Sequence, residues 1–245
     1  MIKISIITVV KNGQKFLEET IKSVIDQDYP NIEFIIVDGN STDNTDKIIN
    51  KYKKHITTLI QEDDLGQTDA LVKGLDAATG EYLCWLNYDD LYYTNQTISK
   101  VIRSIEQHPK YAIYYGNDLL IDEMGNAIIK RVFCNYTFKR ILLDRSISQP
   151  STIFSTKVYK KYGLNKSLRF SMDLDFFLSV FKSDRTKALN FIVAKNRIHA
   201  DRKMSANYLE ALREASHVRR SHGLNVFLVK LIYLLRLIRF KFKKI

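Results

Sequence analysis

Through the first hundred residues the chain alternates between two hydrophobic periods. Short apolar runs, "ISIITVV" (4–10), "IEFIIVDG" (32–39), "TTLIQED" (57–63) and "EYLCWLN" (81–87), are rich in β-branched residues. They predict strands covered on both faces. Between them lie helical patterns. In "KFLEETIKSVIDQDYP" (15–30), Phe16, Leu17, Ile21, Val24 and Ile25 share one helix face, and the helix stops before Pro30. "STDNTDKIINKYKK" (41–54) opens with good N-cap residues and closes in lysines that suit the negative end of the helix dipole. "GQTDALVKGLDAATG" (66–80) predicts a helix capped at Gly80.

Strands alternating with helices imply βαβ units, an α/β fold and a mostly parallel sheet. Such sheets bind ligands at the carboxyl ends of their strands. Asp38, Asp63, Asp64, Asp89 and Asp90 all fall just past predicted strand ends. Beyond residue 94 the pattern loosens. Helices are expected in 97–107, 137–143, 173–182 and 206–221, and strands in 111–121, 127–133 and 149–155. No internal repeat or low-complexity segment appears.

Composition narrows the class. The 245 residues are 45% hydrophobic and 27% charged, enough for one large domain or a domain with a small appendage. Nine Gly and three Pro leave little room for disordered linkers. The first ten residues read as a buried strand, not a secretory signal, because "KNGQKF" follows at once without a cleavage site. Cys84 and Cys134 form no CxxC pattern, and Cys84 reads as a small buried hydrophobe.

The net charge of +11 is unevenly spread. From Lys195 onward there are 13 Lys and Arg against 3 Asp and Glu, so the preceding body is nearly neutral. That asymmetry points to a tail meeting an anionic surface. A nucleic-acid binder is disfavoured, because the charge is terminal and no recognition motif occurs.

Three segments carry candidate chemistry. In "LNYDD" (86–90), Asp89 and Asp90 repel each other at the end of an apolar run. Either the turn lies open to water, or a hard cation such as Mg²⁺ or Mn²⁺ joins them to substrate phosphates. In "IIVDGNSTDNT" (35–45), Asp38 either caps a turn or accepts a hydrogen bond from a base or ribose, and no phosphate-binding glycine loop is present. In "SMDLDFFLSV" (171–180), Asp173 and Asp175 point in nearly opposite directions on a helix, so one of them is structural. Asp173 at the helix start is either a cap or a base. His199 is either a satisfied surface histidine or, with Arg197, Arg202 and Lys203, part of a cationic patch for phosphate oxygens. Trp85 reads as packing rather than as a sugar platform.

Taken in order, these segments resemble family 2 glycosyltransferases of the GT-A fold. "SIITVVKNGQKFLEETIKSVIDQDYPNIEFIIVDGNSTDNTDKII", "EDDLGQTDALVKGLDAATGEYLCWLNYDD", "SQPSTIFSTKVYKKYGLNKSLRFSMDLDFFLSV" and "RIHADRKMS" match that family over roughly residues 3–207. The resemblance implies a Rossmann-like sheet with helices on both faces. It implies a donor half (1–93) and an acceptor half (94–222), followed by a basic amphipathic helix (223–245). Thr8 and Asp38 would line the nucleotide pocket. Asn87 and Asp89 would occupy the outer positions of the DxD-type motif, Asp89 and Asp90 would hold Mn²⁺ or Mg²⁺, and His199 would meet the diphosphate. Asp173 would be the catalytic base. Asn87 replaces the commoner aspartate, and Val72 stands where Asn is frequent.

The implied activity is inverting, metal-dependent transfer from a nucleotide-diphosphate sugar, UDP-linked in most relatives. The acceptor would be a glycan or a polyprenyl-diphosphate-linked glycan of bacterial surface polysaccharide synthesis. A non-catalytic sugar-nucleotide-binding scaffold is the alternative, disfavoured because Asp89, Asp90 and Asp173 are all present. The tail, "NVFLVKLIYLLRLIRFKFKKI", is too interrupted by Lys230, Arg236 and Arg239 to span a bilayer. It either packs on the domain or lies in the membrane interface, which would make the protein cytoplasmic and peripheral at the inner face of the membrane.

Overall fold

A computed structural model describes residues 1–143, 146–200 and 207–242. The strands are β1 (Ile4–Val10), β2 (Ile32–Asp38), β3 (Thr58–Gln61), β4 (Tyr82–Trp85), β5 (Leu91–Tyr92), β6 (Ile113–Ile121), β7 (Ala127–Arg131), β8 (Thr152–Ser155) and β9 (Thr186–Arg197). The helices are α1 (Leu17–Ile25), α2 (Thr45–Tyr52), α3 (Gln67–Ala77), α4 (Thr97–Gln107), α5 (Phe138–Leu143), α6 (Thr156–Tyr162), α7 (Met172–Ser183), α8 (Tyr208–Ser221) and α9 (Val226–Phe242).

All described strands join one sheet in the order β3-β2-β1-β4-β8-β6-β9-β5, with β7 paired to β6. The first four pair in parallel, as expected. The other half is mixed: β8 runs antiparallel to β4 and β6, while β6 and β9 are parallel.

The sheet is a wall between two cores, and the strand period of two assigns residues to each. On one face, Ile7 and Val9 of β1, Ile35 and Val37 of β2, and Leu83 and Trp85 of β4 pack under α3, α5, α6, α7 and α8. On the other, Ile4 and Ile6, Phe34 and Ile36, and Cys84 and Leu86 pack under α1, α2 and α4. Cys84 is buried as expected, and burial pushes its thiol up to about 12. Trp85 packs on aromatic neighbours, stacked parallel to Phe177 and edge-on to Phe154.

Several expectations are corrected. Helix α2 starts at Thr45, not near Ser41, because Asp43 accepts the Thr45 backbone N–H and the segment before it forms a loop. Gly80 caps nothing, since α3 ends at Ala77. Instead, a Cβ at Gly80 would lie 2.8 Å from the Ser5 backbone nitrogen, so the glycine lets this loop press against β1. Strand β9, the pair of residues in β5, and α6 were not anticipated.

Helix α9 is attached, not detached. Leu224 is buried in the core, Val229 and Ile232 pack against it, and Tyr208 of α8 donates its hydroxyl to the Arg236 carbonyl. Its other side exposes Phe227, Leu231, Leu234 and Ile238. Among the described residues no helix is long and apolar enough to cross a membrane. Arg202 and Lys203 lie outside the described residues.

Candidate functional site

A cleft of about 1090 Å³ opens over the carboxyl ends of β1 and β4. Val9, Val10 and Lys11 follow β1 into its wall, and Trp85, Asn87 and Asp89 follow β4. The opposite side comes from β7, the 146–150 segment, the start of α7, and α8 and α9. The cleft thus lies between the two halves of the sheet, as open α/β sheets dispose their ligands.

Asp89 and Asp90 do not share a ligand; they point apart. Asp90 is 2% exposed and is held inward. Its carboxylate accepts the Arg197 backbone N–H at 3.1 Å and the Asn87 side-chain amide at 3.1 Å. Those bonds and the burial leave Asp90 outside the cleft lining, so the structure does not bring the Asp89 and Asp90 carboxylates together there. Asp89 faces the cleft, with one oxygen 2.9 Å from His199 Nε2. Among the described residues Nδ1 has no partner, although it is buried. His199 itself is 6% exposed and stacks tilted on Phe16 at 4.9 Å. It orients Asp89 from behind.

Arg197 is corrected as well. It is no phosphate-facing cation, being 1% exposed. Its guanidinium donates to the Asp89 carbonyl at 3.1 Å, the Glu123 carbonyl at 2.8 Å and the Glu19 carboxylate at 2.6 Å, over the face of Phe16. A buried arginine needs such a set of acceptors. Arg197 braces the turn that presents Asp89.

Thr8 sits wholly inside the sheet and forms no part of the cleft wall, which β1 supplies through Val9 to Lys11. Asp38 ends β2 as expected but is 2% exposed, and its carboxylate accepts the Ser41 backbone N–H at 3.1 Å. It closes the 38–41 turn, and Asp64 occupies the cleft wall instead. Asn87 lines the cleft within a bracket of amides, accepting from Gln67 at 3.1 Å and donating to Gln149 at 2.9 Å. Val72 is buried on α3.

Asp173 and Asp175 part as the helix period requires. Asp175 turns away and lies 2.8 Å from His222 Nε2. Asp173 lines the cleft, and burial pushes its carboxyl up to about 6, against a smaller lowering by its own and the Leu174 backbone N–H and by Arg219. Its Oδ1 accepts the Leu174 N–H at 2.7 Å.

One positioning residue was missed. Glu214 of α8 accepts backbone N–H bonds from Arg169, Phe170 and Ser171 at 2.9, 2.7 and 2.6 Å. These donors lead into α7, so a carboxylate over forty residues downstream sets the entry of the helix that carries Asp173. No sequence signal links the two segments. Glu214→Ala should destabilise the fold by roughly 1.5–3 kcal/mol, the usual scale for hydrogen bonds to a charged group, two of whose donors here are partly buried. Glu214→Gln, which keeps an acceptor oxygen, should lose less. Denaturant midpoints check this, and equal midpoints for Ala and wild type would refute it.

Among the described residues no three His, Cys, Asp or Glu side chains group to hold a metal ion. Asp89 alone fits the sparser mode, in which one or two carboxylates and substrate phosphates share the cation.

The α/β sheet thus sets an acidic strand-end turn and the Asp173 carboxylate in the wall of one cleft. Residues 5–167 match the family model described as glycosyl transferase family 2, and the chain belongs to that family. An uncharacterized glycosyltransferase of Rickettsia conorii is 30% identical over 81% of this chain and 34% of its own length. One from Rickettsia prowazekii is 29% identical over 80% of this chain and 64% of its own. The chain therefore spans about a third to two thirds of these relatives. Among solved structures, Staphylococcus aureus TarS 1–349 in complex with UDP-GlcNAc aligns with a TM-score of 0.71 at 20% identity, covering 94% of this chain and 70% of that one. The Pyrobaculum calidifontis mannosyltransferase PcManGT, in complex with GDP-Man and Mn²⁺, aligns at 0.68 and 15%, covering 95% and 68%.

Proposed function

We propose that the protein transfers a sugar, with inversion, from a nucleotide-diphosphate sugar to a hydroxyl of a glycan or lipid-linked glycan. The observation that carries this reading is Asp89 and Asp173 facing one cleft from its two halves. Asp89, backed by His199 and Arg197, marks the diphosphate end. Asp173 marks the acceptor end.

In this reaction Asp173 accepts the proton of the acceptor hydroxyl. The hydroxyl oxygen bonds to the anomeric carbon, and the bond from that carbon to the diphosphate oxygen breaks on the opposite face. The nucleoside diphosphate leaves with the bonding electrons. One base suffices, unlike the carboxyl pair of glycoside hydrolases. A carboxyl near 6 is ionised at neutral pH yet basic enough to share a proton in the transition state. A divalent cation, Mn²⁺ or Mg²⁺, held by Asp89 and the donor, would neutralise charge on the leaving diphosphate. UDP-sugars head the candidate donors, since TarS with this fold is in complex with UDP-GlcNAc, and GDP-sugars follow from the mannosyltransferase in complex with GDP-Man. The halves 1–93 and 94–222 serve donor and acceptor, and residues 223–245 hold the protein at the cytoplasmic face of a membrane. A pure scaffold is disfavoured by Asp173, a carboxylate set in the cleft wall where burial pushes its carboxyl up to about 6.

The test is a thermal-shift panel of UDP-, GDP- and dTDP-sugars with and without Mn²⁺. A specific donor at a hundred times its Kd should stabilise by about 2.7 kcal/mol. No shift with any nucleotide sugar, under either condition, would sink the reading.

A further inference from the structure

Four buried side-chain atoms have no hydrogen-bond partner among the described residues: Thr8 Oγ1, Ser146 Oγ, Asn196 Oδ1 and His199 Nδ1. Stranding such atoms costs free energy, so each calls for an explanation. Thr8 and His199 lie off the cleft lining, whereas Ser146 and Asn196 belong to it. Asn196 is 4% exposed.

The strand period aims Asn196 at the cleft. The next residue of β9, Arg197, turns to Phe16 and Glu19 on the other face of the sheet. Asn196 stands in register with Leu120 of β6, and Leu120 with Ile129 of β7. The adjoining row on the same face is Ala194, Asp118 and Arg131. In that row the Asp118 carboxylate accepts Arg131 Nε at 2.8 Å and Ser148 Oγ at 2.5 Å. The bond from Ser148 lays the 146–149 segment over this floor. Gln149 ties the segment's far end to Asn87 at 2.9 Å and to the Trp85 carbonyl at 2.5 Å. The row beside Asn196 is thus engaged within the protein, while Asn196 Oδ1 and Ser146 Oγ are left for a ligand.

The two atoms specify that ligand's chemistry. The oxygens of an ionised diphosphate offer Asn196 Oδ1 no hydrogen. A hydroxyl donates and accepts at once, so it satisfies either end of the Asn196 amide, and Ser146 as well. We propose that Asn196, assisted by Ser146, is a specificity-determining residue that selects a sugar ring presenting a hydroxyl to the β9 wall and rejects the ring deoxygenated there. The inference rests on the sugar-transfer reading and adds which groups discriminate. A site built around a substrate hydroxyl rejects the analogue that lacks it, because its buried polar groups then stay unpaired. Transferred sugar and acceptor sugar share this chemistry, and the experiment separates them.

Binding to the full chain in Mn²⁺ is measured calorimetrically for UDP, GDP, UDP-glucose, UDP-galactose, UDP-GlcNAc and GDP-mannose, and by NMR for the methyl glycosides of the same sugars. The monodeoxy analogues of the tightest-binding sugar follow. One of them should bind wild type about tenfold more weakly than its parent, the scale of one lost hydrogen bond. Asn196→Leu, close in shape but without hydrogen-bonding groups, should bind the parent about tenfold more weakly and no longer distinguish that analogue. Its affinity for UDP and GDP should be unchanged. Its melting midpoint should hold or rise, because an unpaired buried oxygen is removed. Ser146→Ala should show a smaller loss in the same direction. If Asn196→Leu does not fold, the monodeoxy series and Ser146→Ala carry the test. Loss confined to nucleotide sugars assigns the hydroxyl to the transferred sugar, and loss confined to glycosides assigns it to the acceptor. The proposal is overturned if every monodeoxy analogue binds like its parent, or if UDP and GDP lose affinity in equal measure. A lowered melting midpoint with sugar selectivity intact would make Asn196 structural and overturn it too. Nucleotide sugars and glycosides alike indifferent to both variants would remove the subsite and leave the sugar-transfer reading. Glycoside binding that depends on Asn196, with no response to any nucleotide or nucleotide sugar, would remove that reading and leave the subsite.

Discussion

Asp173→Asn should abolish most transfer and at the same time make the protein more stable. The substitution keeps the side chain's shape and an oxygen for the Leu174 N–H. It removes the proton acceptor, which typically costs about 10²–10⁴-fold in rate. On the proposed assignment of Asp173 to the acceptor end, donor affinity should change little. The stability gain follows from linkage. Burial raises the folded carboxyl to about 6 from an ordinary value of 3.8. The folded protein therefore binds more protons than the unfolded chain between those values, and stability falls as pH rises through them. Above about pH 6 the ionised carboxylate is a standing cost that asparagine removes. The expected gain is about 1–3 kcal/mol at pH 8 and none near pH 4. Wild-type turnover should rise as pH passes through about 6 and then level. Denaturant unfolding at the two pH values and a pH–rate profile check both halves. A variant that turned over normally, or that lost nucleotide binding in proportion to its activity, would displace Asp173 from the role of base.

Asp89→Asn is expected to have the second-largest effect, at the other end of the cleft. It preserves an oxygen near His199 Nε2 but removes the charge that a divalent cation needs. Nucleotide-diphosphate affinity in Mn²⁺ should fall by roughly one to two orders of magnitude, the scale of a lost charge-assisted contact. The difference between Mn²⁺ and EDTA should disappear. Asp89→Ala is less clean, because it also strips His199 of its described partner. Calorimetric titration of UDP or GDP, with and without Mn²⁺, gives the readout. Equal metal-dependent affinity in wild type and Asp89→Asn would exclude Asp89 as a ligand of the cation.

The first half of the sheet was legible because its physics is local. In β1, β2 and β4, apolar runs buried on both faces announce themselves, the edge strand β3 is only partly buried, and the spacing of all four by helices fixes a parallel sheet. The second half was less legible because its order is set by distant partners. Strand β9 reads "TKALNFIVAKNR", without a clean period, and it ends in the buried polar residues Asn196 and Arg197. Arg197 belongs there because Asp89, Glu123 and Glu19 offer it oxygens, and those three come from separate parts of the chain. The site followed the same division. Asp173 and Asp89 could be placed at a helix start and a strand end. That Asp90 turns inward, or that Glu214 holds the approach to α7, depends on contacts between residues 43 to 107 positions apart.

The protein has a single tryptophan, Trp85, and it lies in the wall of the cleft, stacked parallel to Phe177 at 6.5 Å. All indole emission from this molecule therefore originates at the place where donor and acceptor would meet. With excitation selective for indole, a change in colour or intensity reports on that wall, with no second emitter elsewhere to dilute the signal. The native chain is thus an unlabelled optical probe of its own cleft, fast enough for stopped-flow mixing. Phe177 sits on α7 with Asp173, so a shift of that helix alters the surroundings of the chromophore as well.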